Sequence, residues 1–218
     1  MVEYQFKEEI DIELPGNIIL TGDLIIPVDA EAIVIFAHGS GSSRLSSRNR
    51  FVARKLHEAG FATLLFDLLT MPEGEDYPMR FDIALLSDRL VSVTKWLEKK
   101  PGFDLPIGYF GASTGAAAAL SATARLGDEV KAIVSRGGRP DLAMTSLARV
   151  VSPTLLIVGS LDEAVIPANQ KALTAIHAEK DMRIVPGATH LFEEPGKLEV
   201  VAQLAAEWFS KYLKFAHA

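Results

Sequence analysis

Residues 109–120 read YFGASTGAAAAL, Tyr109 to Leu120. The apolar run 107–110 leads into this stretch, and a row of alanines follows it. The serine has a glycine two places to either side. Such a serine is either an ordinary turn residue or a nucleophile held on a strained strand-to-helix elbow. Residues 114–126 are mostly good helix formers, so a helix is expected directly after Ser113. The small side chains of Ala116 to Ala119 let that helix come close to a sheet. Gly111 and Gly115 remove the Cβ atoms that would collide around so sharp a turn. The backbone N–H of Thr114 would lie at a helix N-terminus, where negative charge is stabilised.

Outward from this stretch, short apolar runs alternate with amphipathic ones. The runs cover residues 32–37, 62–66, 107–110, 130–134, 154–158 and 182–185. Residues 49–59, 81–97 and 198–215 space their apolar side chains by three or four, the helical rhythm. Near-continuous apolar strands alternating with helices predict a parallel sheet covered on both faces. The segments 5–14 and 18–26, separated by Pro15-Gly16-Asn17, predict a leading antiparallel hairpin. The expected fold class is α/β, with a mostly parallel sheet of about eight strands and helices on both faces. No repeat or low-complexity linker interrupts the chain, so residues 1–218 are expected to form a single domain.

In such a sheet, ligands gather beyond the C-terminal strand ends. Three further segments fall there. A serine hydroxyl needs a base, and the base needs an acid to orient it. His190 follows the last apolar run, in Pro186-Gly187-Ala188-Thr189-His190, and is the candidate base. Asp162 follows the run before it, in Gly159-Ser160-Leu161-Asp162, and is the candidate acid, with its neighbour Glu163 as the rival. A loop histidine and an Asx turn are the plain alternatives for the two. The loop His38-Gly39-Ser40-Gly41-Ser42-Ser43 follows the run 32–37. Its Ser40 N–H is expected to face the same point as Thr114 N–H, forming an oxyanion hole. Gly39 and Gly41 are expected to let the backbone approach a substrate. His57 and His177 fall in helical patterns and read as surface or helix-end residues, and His217 as part of a fraying tail.

These segments together resemble the α/β-hydrolase superfamily over nearly the whole chain. The length and the run HGSGSSR are similar to its small dienelactone hydrolase-like group. The resemblance implies an α/β-hydrolase fold, a Ser113–Asp162–His190 triad, and an oxyanion hole from Ser40 and Thr114. The activity it implies is hydrolysis of small esters, lactones or thioesters, with no cofactor. The family's usual cysteine nucleophile is a serine here, so dienelactone itself is not carried over as the substrate. Some chains similar to this one are joined to a phosphoribosyltransferase domain. Little more than residues 137–152 separates the runs 130–134 and 154–158. That leaves room for one helix, near 141–149, and predicts an open site with a minimal cap or none.

Arg136 follows the run 130–134 and is expected to reach the same rim, where it could clamp a carboxylate or phosphate. An ion pair with Asp67, Asp141 or an acidic neighbour of Asp162 is the plain alternative. No histidine pair or acidic cluster has metal-ligand spacing, so no metal is expected.

Composition narrows the remaining choices. The chain has 28 acidic and 22 basic side chains, a net charge of −6, which argues against nucleic acid as a partner. It has no cysteine, which removes disulfides and thiolate chemistry. No stretch reads as a signal peptide or a membrane span, so a cytoplasmic protein with no membrane partner is expected. The sequence admits a homodimer without specifying one. A non-catalytic binding module on the same fold, a small peptidase and an acyltransferase are the alternative functions.

Overall fold

The computed structural model describes residues 2–213. Eight strands form one open sheet in the order β1-β2-β4-β3-β5-β6-β7-β8. They are β1 (Tyr4–Leu14), β2 (Ile18–Pro27), β3 (Ala32–Ala37), β4 (Phe61–Phe66), β5 (Ile107–Ala112), β6 (Val130–Arg136), β7 (Thr154–Gly159) and β8 (Lys180–Val185). The first two form the expected hairpin, and β2 also pairs antiparallel with β4. All other pairings are parallel. The hairpin turn uses Gly16 and Asn17 at φ 83° and 60°, the left-handed region that these residue types tolerate.

Every residue of β3, β4, β5 and β7 is buried. That is why their sequences are apolar apart from Thr63 and Thr154 instead of alternating. One face is covered by α3 (Ile83–Glu98) and α4 (Thr114–Leu126), whose Leu86, Leu90, Ala118 and Leu120 join Ile33, Ile35 and Tyr109 of the sheet. The other face is covered by α1 (Ser47–Glu58) and α7 (Lys197–Tyr212). There Val52, Leu56, Val201 and Phe209 pack with Val34, Phe36 and Phe110. Burying each such aliphatic or aromatic side chain contributes about 1.5–3 kcal/mol.

The helix leaving β3 lies on one face and the helix leaving β5 on the other. These two strands are neighbours, so their C-terminal ends flank a crevice where the connections diverge.

Several boundaries differ from the sequence expectation. The 141–149 helix is a 3₁₀ turn, Pro140–Ala143, followed by the one-turn α5 (Met144–Leu147). No further cover is inserted between β6 and β7. Two helices carried no readable signal: α2 (Met71–Glu75) and α6 (Ile166–Ala175). The last helix ends at Tyr212, and Phe215 and His217 lie outside the described residues.

Candidate active site

Ser113 joins β5 to α4 with φ 52° and ψ −120°. A non-glycine residue rarely adopts this conformation, and holding it costs on the order of 1–3 kcal/mol. The surroundings enforce it. Ser113 N–H donates to the Arg136 carbonyl at 3.2 Å, and Arg139 N–H donates to the Ser113 carbonyl at 3.1 Å. Gly115 lets α4 press against the loop after β3: a Cβ there would stand 2.2 Å from the Ala37 carbonyl oxygen.

The loops after β7 and β8 meet this elbow. His190 Nε2 lies 3.2 Å from Ser113 Oγ, and His190 Nδ1 lies 2.6 Å from Asp162 Oδ2. A carboxylate only accepts, so Nδ1 carries the proton. In the neutral ring Nε2 is then bare and accepts from the serine hydroxyl. Asp162 is nearly enclosed, with 10% of its side chain exposed, whereas His190 keeps 36% exposed. Glu163, the rival acid, is exposed.

The two loops are bound to each other as well. Ser160 N–H donates to the Val185 carbonyl, and Leu161 N–H to that of Ala188, both at 3.0 Å. Gly159 permits this approach, because a Cβ there would lie 2.2 Å from Ala188 O. Beyond the imidazole, Phe192 holds a strained φ of 58° while its ring is fully buried, anchoring the loop in the core.

Residues 39–43 wrap the other side of Ser113. His38 braces the start of this loop. Its Nδ1–H donates to Gly39 O at 3.0 Å, and its Nε2 accepts Leu68 N–H at 3.1 Å. These partners define a neutral ring, and burial holds its pKa below the ordinary value. Arg44 braces the end: its N–H donates to Asp67 Oδ1 at 2.8 Å, and its guanidinium meets Asp23, Glu9 and Asp67. Both ends of the loop are therefore tied to residues 67–68.

Ser40 does not stand as expected. Its N–H points at residue 114, but it donates to the Thr114 hydroxyl at 2.8 Å. One of the two expected oxyanion donors thus already has an acceptor. The Thr114 N–H lies in the first turn of α4, where no intrahelical carbonyl is available.

The sequence model of the dienelactone hydrolase family matches residues 20–217. The chain belongs to that family. A dienelactone hydrolase from Anabaena variabilis is 52% identical, with a TM-score of 0.93 over 97% of this chain and 100% of that one. Est1E from Butyrivibrio proteoclasticus shares the fold, with a TM-score of 0.80 at 19% identity over 93% of this chain and 98% of that one. Two Mycobacterium tuberculosis proteins named as candidate phosphoribosyl transferases are 56% identical over 207 residues, which is 94% of this chain and 46% of theirs. The chain therefore spans about half the length of those relatives. Family membership and the shared architecture place the chain among proteins of the α/β-hydrolase fold.

Within this fold, Arg136 departs from its expected place. The residue is 5% exposed and its side chain turns under α1, where Nη2 donates to Asn49 Oδ1 at 3.2 Å. It is not a rim clamp. The position is the last of a strand buried on both faces from Ala132 onward, and this side chain falls on the α1 side. Burial, then the nearby Arg48, lower its pKa to about 10. The ion pairs considered for it are made by other arginines: Arg139 forks onto Asp141 at 2.8 and 2.9 Å, and Arg44 takes Asp67. His57 does stand in the last turn of α1, as a helix-end residue, but it is not on the surface. It is buried, with Nε2 2.8 Å from Thr63 Oγ1. His177 is exposed.

A cavity of about 500 Å³ opens beside the 39–43 loop. Leu20, Leu68, Leu69 and Met71 give it apolar walls, and Thr21 and Arg80 add polar groups. Sequence reasoning missed this wall. It is built by the α2 region, and Arg80 carries no motif, being one basic residue between Met79 and Phe81. Among the described residues, no cluster of His, Asp or Glu is arranged to hold a metal, and no helix is long and apolar enough to cross a membrane.

Proposed function

We propose that the protein is a serine hydrolase of small esters, lactones or thioesters, working through an acyl-enzyme. One observation carries this reading. A strained Ser113 is within hydrogen-bond reach of an imidazole whose other nitrogen is held by an enclosed carboxylate.

In the proposed reaction, Ser113 Oγ bonds to the substrate carbonyl carbon and its proton passes to His190 Nε2. Asp162 holds the imidazole and stabilises the cation formed. The carbonyl oxygen becomes an alkoxide, stabilised by Thr114 N–H and by Ser40 N–H once it turns from the threonine hydroxyl. Collapse expels the alkoxide or thiolate, which takes the proton from His190. Water then attacks the acyl carbon, its proton going to His190 and then to Ser113, and the free acid leaves.

The 500 Å³ cavity and its leucine walls suit a short acyl or alcohol group. The phosphoribosyl transfer in the name of the longer relatives we assign to the part of those chains that this one does not span. A homodimer is not needed for the reaction, because all the proposed groups come from one chain.

Treatment with a fluorophosphonate followed by intact-mass analysis tests the reading. One adduct on Ser113, absent in Ser113→Ala, is expected. With p-nitrophenyl esters, acetate and butyrate should outpace long acyl chains. No adduct and no turnover would favour a non-catalytic binding protein.

A further inference from the structure

A buried guanidinium without a carboxylate carries a large desolvation cost. Arg136 is such a group. It is 5% exposed, its one hydrogen bond goes to the neutral amide of Asn49, and its Nε has no partner. Among the described residues no ion pair includes it. The charges that act on it are Arg48, of like sign, and Glu193. Glu193 is already paired with Arg48 and is more than half exposed. Two guanidinium groups thus share one solvated carboxylate.

The place of this charge is informative. Arg136 ends β6 and pairs in register with Ala112, the residue before Ser113. Its carbonyl accepts the Ser113 N–H. Adjacent strands lie about 4.8 Å apart, so the side chain starts directly behind the elbow. A structural arginine of this depth is expected on carboxylates or several carbonyls, and this one has neither.

We propose that Arg136 is a positioning residue that supplies a fixed, unneutralised positive charge behind Ser113, stabilising the anion that forms during acyl transfer. The inference rests on the serine hydrolase reading. Arg136 touches no substrate and acts through space. It does so in a poorly solvated setting, where Coulomb interactions are weakly screened. Asn49, in the first turn of α1, holds the guanidinium without neutralising it. A carboxylate at residue 49 would cancel the field.

Arg136→Met and Arg136→Gln test this. A buried unpaired charge carries a desolvation cost that an apolar side chain of similar volume does not, so the melting temperature of Arg136→Met should hold or rise. Its kcat on p-nitrophenyl acetate should fall about tenfold with KM within about twofold, the pattern of an interaction made only in the transition state. Phenylboronic acid, which forms an anionic tetrahedral adduct on a serine, should bind about tenfold more weakly. Arg136→Gln should behave as Arg136→Met does. Stability falling while kcat holds would show a purely structural arginine and overturn the proposal. Wild-type kcat in Arg136→Gln alone would also overturn it, because the amide contact and not the charge would then matter. Wild-type protein that takes the fluorophosphonate while Arg136→Met matches it in kcat sinks this inference and leaves the hydrolase reading standing. Wild-type protein that neither takes the label nor turns over the ester sinks both.

Discussion

The Ser40 N–H donates to the Thr114 hydroxyl at 2.8 Å across 74 residues of sequence. The bond ties the loop after β3 to the first turn of α4, beside the serine. It also occupies a donor that the proposed oxyanion needs. Thr114→Val keeps the shape and removes the acceptor. The half-buried N–H is then unpaired in the resting protein, costing about 1 kcal/mol, or roughly 2–4 °C in melting temperature. The anion would meet a free donor, so the rate of fluorophosphonate labelling should rise. A slower rate would mean that the hydroxyl holds the loop in its working position.

Asp162 accepts from His190 Nδ1 at 2.6 Å and so dictates which nitrogen is bare. Asp162→Asn can donate its amide N–H to Nδ1, which puts the ring proton on Nε2, facing Ser113. On the proposed reaction kcat should fall on the order of 10⁴-fold, with KM little changed. Steady-state kinetics on p-nitrophenyl acetate measure both. A fall under about tenfold would remove Asp162 from the reaction.

Much of the site could be read from the order of residues, for a geometric reason. In a parallel sheet all strand C-termini share one rim, so Ser113, Asp162 and His190 are juxtaposed merely by following apolar runs. The direction of Arg136 could not be read in the same way. Where both faces of a strand are buried, the sequence shows no alternation, and nothing tells which face the last side chain joins. His57 was hidden for a related reason. It has the spacing of a helix-end residue, but the β1 residue Tyr4 covers it with a ring 5.7 Å away, edge to face. The α2 helix, at five residues, is too short for a periodic signal. The Ser40–Thr114 bond depends on how closely α4 approaches a loop, a packing distance that local composition does not encode.

That approach is itself testable at Gly115. A methyl group there would stand 2.2 Å from Ala37 O and 2.4 Å from His38 O, both backbone atoms that cannot swing aside. Gly115→Ala must push α4 from the sheet edge or move the 39–43 loop. Overpacking of this kind costs about 3 kcal/mol or more. The melting temperature should drop sharply, and labelling at Ser113 should fall with it. An unchanged melting temperature would show that the elbow has slack.

His57 makes the fold sensitive to acid. Burial, then the positive charges of Lys7 and Arg54, lower its pKa from the ordinary 6.5 to about 4. Between those values the unfolded chain binds a proton that the folded chain refuses. Stability therefore rises with pH across this window. The contribution is complete above about pH 6.5 and is lost as pH falls toward 4. The neutral His38, whose pKa desolvation also lowers, acts in the same direction. His57→Leu removes one of these two groups, at the cost of leaving the Thr63 hydroxyl without its ring partner. Melting temperatures from pH 7 down to about pH 4.5 should fall less steeply for His57→Leu than for the wild type, even if the variant starts lower at neutral pH. Parallel curves would show that the imidazole takes up its proton in the folded state as readily as in the unfolded chain.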